Sequence, residues 1–298
     1  MRSKRKRKLK AEPRFYVIMT TLAIGIVGMA GQAIQTVAKP DVESEKIVVQ
    51  TKEEIEQLST ETMENELPVN EVIEKGEEDS EIYAINLKNN PRIFSNFYND
   101  VVSTYDETSV TALVNKNYQL SPTYKPDDLR VLNVTYSNEA LGASQTMLRK
   151  EAASQAEKMF KQAKKDGITL LARSGYRSYK TQEQLYQEYV SRDGVDAADK
   201  YSARAGHSEH QLGLALDITS DSVNRELVVE FGETLEGIWL KKNAHRYGFI
   251  IRFPKGKEDL TGFQYEPWHV RYVGVDVAKE IYENDWLLED YILMQKPL

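Results

Sequence analysis

Between Arg14 and Lys39 the chain carries no charged residue, and FYVIMTTLAIGIVGMA at 15–30 is apolar at almost every position. No other feature constrains the fold as strongly, because about twenty such residues at ~1.5 Å rise match the ~30 Å of a hydrocarbon core. Eight basic residues precede the run (Arg2, Lys4, Arg5, Lys6, Arg7, Lys8, Lys10 and Arg14), opposed by Glu12. Basic residues beside a span stay in the cytoplasm, so the bulk of the chain is expected outside. The reading is a basic cytoplasmic tail at 1–14, a transmembrane signal-anchor at 15–38, and a single-pass cell-membrane protein with an extracellular domain. The small residues of Gly28-Met29-Ala30 and Gly31-Gln32-Ala33 leave a cleaved signal peptide and a secreted product as the alternative. The chain has no cysteine, which excludes a lipoprotein, disulfides, Cys-ligated zinc and thiol catalysis.

Residues 41–81 hold fifteen acidic residues against Lys46, Lys52 and Lys75. Dense like charge with few aromatic residues cannot bury enough surface to offset chain entropy, so 39–81 reads as an acidic disordered spacer. As a coil it would span roughly 35–40 Å and hold a domain off the membrane. The pI of 5.4 belongs to this segment. Residues 82–298 are close to neutral and offer no basic stripe, so no nucleic-acid partner is expected.

From Ile82 onward turn signals and aromatic residues become regular. Met147, Leu148, Ala152, Ala156, Met159, Phe160 and Ala163 recur at helical spacing, closed by Asp166-Gly167. Ile168 to Ala172 reads as a buried strand leading into Ser174-Gly175-Tyr176-Arg177. Thr181 and Gln184 form a capping box for a helix to about Val190. Leu212, Leu214, Leu216 and Ile218 alternate as in a strand, Leu235–Tyr247 suits a helix ended by Gly248, and Phe249–Phe253 is a strand stopped by Pro254. The strands are too few for a doubly wound sheet, so the expectation is α+β, with helices packed on a small sheet.

Three of the four histidines fall in two short motifs, GHSEHQLGLALD at 206–217 and YEPWH at 265–269. Two imidazoles and a carboxylate make a three-ligand set that leaves a fourth tetrahedral position for water, the catalytic arrangement for zinc. The candidate ligands are His210, Asp217 and His269. An extended strand would hold His210 and Asp217 about 23 Å apart and on opposite faces, so the chain must reverse between them, and Gly213 can supply the turn. Pro267 suits a first helical position, and a short turn there would bring Glu266 beside His269. Glu266 then takes a proton from water at the metal.

These motifs resemble the Ser-x-His-x-x-Gly-x-Ala-x-Asp and Glu-x-x-His signatures of the VanY-like D-alanyl-D-alanine carboxypeptidases, zinc peptidases related to lysostaphin and hedgehog domains. The resemblance covers about 110–285 and includes LVNKNYQLSPTYKPDDL at 113–129, SGYRSYKTQEQLY at 174–186 and FPKGKEDLTGFQYEPWHVRYVG at 253–274. It implies an α+β fold with a small antiparallel sheet, in which 82–298 is a zinc carboxypeptidase domain that removes the terminal D-alanine from peptidoglycan stem peptides, with one zinc per chain. His210, Asp217 and His269 are then the zinc ligands and Glu266 the catalytic base. Arg177 is placed on the scissile carbonyl, where a guanidinium can hold an oxyanion; a structural salt bridge is its other reading. Gln182 and Ser208 take substrate-binding positions near the terminal carboxylate, or else serve helix packing and loop hydrogen bonding.

His207 reads as a loop residue, His245 as a surface residue near a helix C-terminus, and Trp268 as either pocket wall or core. Cleavage of a pentapeptide stem (D,D) or of a tetrapeptide stem (L,D) leaves the same terminal residue, so the carboxylate-binding positions do not separate the two; D,D is the family expectation. A non-catalytic cell-wall-binding module would need neither Glu266 nor Arg177. An iron oxygenase with two histidines and a carboxylate would place His and Asp two residues apart, where here they are seven apart.

Overall fold

Every side chain from Ala215 to Thr219 is buried, so this strand must be covered on both faces, and the rest of the domain is arranged around it. The computed structural model describes residues 69–138 and 142–295, the first ten by their backbone alone; all lie in one unit spanning 67–298. Strand β1 (Val102–Ser103) pairs in parallel with β2 (Tyr118–Gln119). Strand β3 (Leu129–Val131) pairs antiparallel with β4 (Met147–Arg149). Strands β5 (Leu171–Ser174), β6 (Ala215–Thr219), β7 (Phe249–Phe253) and β8 (Glu266–Tyr272) form an antiparallel sheet in the order β5-β6-β8-β7. The longer helices are α1 (Val69–Asn89), α2 (Lys150–Lys165), α3 (Tyr179–Asp193), α4 (Val195–Tyr201), α5 (Leu235–Asn243), α6 (Val275–Glu283) and α7 (Leu288–Met294). The α+β expectation agrees with this architecture, to which the parallel β1–β2 pair is an addition.

Helix α2 turns Ala152, Ala153, Ala156, Met159, Phe160 and Ala163 inward. Four alanines on that face let the helix approach closely, and it shares one core with Leu216, Ile218, Val270 and Tyr272 of the sheet. Truncating a fully buried side chain such as Met159 to alanine would cost ~2–5 kcal/mol. A second cluster holds Ile93, Leu113, Ile250, Val273 and Ala278 with Leu288 and Leu293 of α7.

Several element boundaries differ from the sequence reading. Met147 and Leu148 do not open the helix: Tyr176 N–H donates to Met147 O and Leu132 N–H to Thr146 O, which holds 147–149 extended as β4. Strand β5 begins at Leu171, three residues late. Ser178, not Thr181, caps α3, its hydroxyl accepting from Thr181 N–H. Leu212 ends a 3-10 turn, Glu209–Leu212, and the strand starts only at Ala215. The helix from Leu235 tightens into a 3-10 turn at Ala244–Tyr247 before Gly248, at φ +80°, ends it.

Helix α1 spans the boundary expected between 81 and 82, and its contacts to the rest of the domain lie after it. Tyr83 Oη donates to Asp290 and Asn86 Nδ2 to Leu293 O. These contacts pin the end of α1 to α7, and the helix continues back through a stretch rich in Glu, a good helix former. Among the described residues no helix is long and apolar enough to cross a membrane. The expected tail at 1–14, anchor at 15–38 and most of the 39–81 spacer lie outside the described residues.

Candidate active site

Three elements deliver the three candidate metal ligands. His210 sits in the 3-10 turn Glu209–Leu212, which ends at Gly213 in the left-handed conformation at φ +67°. That is the reversal the motif needed: the chain turns back and enters β6, where Asp217 lies. His269 is the register partner of Asp217 on β8. One ligand atom from each residue lies within 4.8 Å of the others, and all three residues are buried.

Hydrogen bonds fix how the imidazoles point. His210 Nδ1 lies 2.7 Å from Gly175 O, and a carbonyl only accepts, so Nδ1 carries the proton and Nε2 presents its lone pair. Nε2 is 3.4 Å from Asp217 Oδ2, and His269 Nδ1 is 3.1 Å from Asp217 Oδ1. The two rings stand edge to face with centroids 5.1 Å apart. Two imidazole nitrogens and one carboxylate oxygen converging in a buried site fit zinc with a position left open.

Glu266 reaches the site by a route other than the expected helical turn, which does not form: 266–272 is strand throughout. Phe253 pairs with Glu266 whereas Ile251 pairs with Val270, so β8 has two extra residues there, Pro267 and Trp268 among those it spans. Residues three apart on a regular strand face opposite ways. The bulge lets Glu266 and His269 line the same cavity, and proline, lacking an N–H, is tolerated at such a bulge. A second irregularity, at Arg173 between Ala172 and Ser174, brings Ser174 of β5 opposite Asp217 of β6.

A cavity of about 240 Å³ joins these groups, with Arg177, Gln182, Ser208, Glu266 and the three candidate ligands in its wall. Arg177 Nη1 donates to Gln182 Oε1 at 2.8 Å and Nη2 to Ser174 Oγ at 3.1 Å, while its backbone N–H donates to His210 O. Its side chain makes no ion pair among the described residues. The Gln182 amide is fully engaged, Nε2 donating to Ala203 O at 2.6 Å and Ser202 Oγ at 3.3 Å. Gln182 thus orients Arg177, and Ser208 is the residue of the two whose side chain no described residue ties down. His207 Nδ1 bonds to Asn115 O at 2.8 Å, the loop role expected of it. His245 stacks on Tyr282 away from the site, and Trp268 serves both wall and core.

Burial pushes the Glu266 carboxyl up to about 8, with the charges of Asp217 and Glu209 adding and those of His269 and Arg177 opposing. Burial alone would lower His269, but hydrogen bonds to Asp217 and Glu209 outweigh it and raise it to about 9. Asp217 is held far below the usual carboxylate range, its burial overcome by His210 and His269. His210 is lowered by burial.

Sequence reasoning missed Glu209, which bonds to His269 Nε2 at 3.3 Å and to Arg252 and Arg271. A signal was present in FIIRF at 249–253: an arginine inside an otherwise apolar strand needs a buried acidic partner.

Residues 145–275 match the family VanY, D-alanyl-D-alanine carboxypeptidase. The Bacillus subtilis (strain 168) protein YodJ is 45% identical over 203 residues, 66% of this chain and 74% of that protein. The solved structure of the LdcB LD-carboxypeptidase is similar at a TM-score of 0.63 and 45% identity, covering 66% of this chain and 92% of that one. A mutant of the vancomycin resistance D,D-pentapeptidase VanY from a VanB-type cassette, in complex with Zn(II), is similar at 0.51 and 31% identity, covering 63% and 99%.

Proposed function

The chain belongs to the VanY family of D-alanyl-D-alanine carboxypeptidases, zinc-dependent enzymes that act on peptidoglycan peptides, and on that premise we propose that it is an exported carboxypeptidase removing the terminal D-alanine of stem peptides. The observation that carries this reading is one small cavity holding a buried two-histidine, one-carboxylate set, a buried Glu266 and the Arg177 guanidinium together.

His210, Asp217 and His269 would hold the zinc, which when bound supplies Lewis acidity toward the scissile carbonyl and the attacking water. Glu266 accepts the proton of that water and delivers it to the leaving amine of D-alanine; a raised carboxyl affinity for protons suits a group that must take one up and give it back. Arg177, braced by Gln182 and Ser174, faces the oxyanion that forms as water adds. The Ser208 hydroxyl is assigned to the substrate's terminal carboxylate, and Gln182, which was expected beside it, acts instead by holding Arg177 toward the oxyanion.

The family description favours the D,D bond of a pentapeptide stem. The L,D bond of a tetrapeptide stem is the second reading, favoured by the greater similarity to the LD-carboxypeptidase structure, 45% identity against 31%. The two peptides differ in the residue before the scissile bond, so incubating the zinc-loaded protein with each and weighing the products decides. Loss of one alanine from the pentapeptide supports the first reading, from the tetrapeptide the second, and from neither refutes both. Export rests on the basic residues before the uncharged run at 15–38. Protease added outside intact cells should then cut between the anchor and the domain and release a folded fragment; protection would contradict export.

A further inference from the structure

Glu209 takes no part in the hydrolytic step, yet its carboxylate is fully assigned. Oε1 accepts from Arg252 Nε at 2.7 Å and Arg271 Nη1 at 2.8 Å. That leaves Oε2 for His269 Nε2 at 3.3 Å. Arg252 turns its two remaining nitrogens to Glu289 of α7, at 2.9 and 2.6 Å, and Glu289 also accepts from Asn115 Nδ2 at 3.1 Å. Arg271 is completed by the carbonyls of Val110, Ala112 and Tyr272. The side chains of Arg252 and Arg271 are 0% exposed, those of Glu209 and Glu289 2% and 1%. Two guanidinium and two carboxylate charges balance, which a buried cluster requires.

We propose that this buried chain, from Glu289 through Arg252 and Glu209 to His269, is a positioning device for the metal ligand. A carboxylate only accepts, so Glu209 holds the proton of His269 on Nε2 and leaves Nδ1, on the Asp217 side, to face a cation. Arg252 and Arg271 keep Glu209 from turning away. Glu289 anchors Arg252 from a helix beyond residue 275, where the family match ends. Ligand geometry is therefore set in part by the C-terminal helix. The inference rests on the zinc reading above.

Glu209→Gln tests it with a nearly isosteric change. With its oxygen kept by the two arginines, the new amide offers His269 Nε2 a donor, which drives the ring proton to Nδ1, against metal binding. Zinc affinity, measured by competition with a chromophoric chelator on the folded metal-free protein, should fall 10- to 100-fold, and the visible spectrum of the cobalt-loaded variant should change. Glu289→Gln should weaken zinc in the same direction by about threefold or more, and it decides the matter if Glu209→Gln does not fold. A merely structural cluster would lower the melting temperature of these variants while leaving zinc affinity and the cobalt spectrum as in the wild type; that result overturns the proposal. Failure of the wild-type protein to bind zinc would instead overturn the reading on which it rests.

Discussion

Asp217 and His269 are register partners across the β6–β8 ladder, and their side chains meet at 3.1 Å. Two of three candidate ligands are therefore set by strand pairing, and a one-residue slip would send one of them to the opposite face. Only His210 depends on a turn, and Glu266 on a bulge.

Separate roles for ligand and base predict separate losses. The wild-type domain should hold close to one zinc per chain, and Asp217→Ala should lose it. Glu266→Ala should keep zinc and fold yet lose about 100-fold or more in rate. Elemental analysis alongside a peptide hydrolysis assay checks both; zinc retained by Asp217→Ala, or an unchanged rate in Glu266→Ala, would break the assignment.

Gly213 carries the turn between His210 and Asp217. A Cβ added there would lie 2.7 Å from Leu129 Cδ2 and 3.2 Å from Arg149 Cγ, at a φ of +67°. Gly213→Ala should cost ~1–3 kcal/mol in stability and weaken zinc binding as well, since the strain falls between two ligands. A lowered urea midpoint with unchanged zinc affinity would show that the turn does not position His210.

The candidate ligand set was legible because His210, Asp217 and His269 stand in two compact motifs whose residue types suit one metal. The parts built from distant pairing were not. Proline at 267 is compatible with a helix start and with a strand bulge, and only the pairing of β8 with β7 selects the bulge. The hydrophobic spacing through Met147 and Leu148 fits a helix until the backbone partners of those residues are known. Glu209 carries no signal of its own between the two histidines; its ion pairs appear only when Arg252 and Arg271, more than forty residues away in sequence, are brought beside it.

Lys116 gives a stability prediction independent of the site. Its ammonium is buried against Phe97, Tyr98 and Phe263, and it donates to the carbonyls of Asp199 and Gly262. Burial lowers its pKa to about 8, only partly offset by the Asp199 charge, against about 10.4 in an unfolded chain. Between those values the unfolded chain binds more protons, so this residue makes stability rise with pH. Urea midpoints at pH 7.5, 8.5 and 9.5 should show wild type gaining relative to Lys116→Met as pH rises. Parallel pH profiles would contradict the assignment.

The most direct test of the account weighs the products when zinc-loaded protein meets stem peptides whose C-terminus is either a free carboxylate or an amide. A zinc carboxypeptidase that grips the terminal carboxylate predicts loss of one alanine from the free peptide and at most slow cleavage of the amide. Equal cleavage of the two would make the enzyme an endopeptidase, and cleavage of neither would leave the assembled site without its assigned reaction.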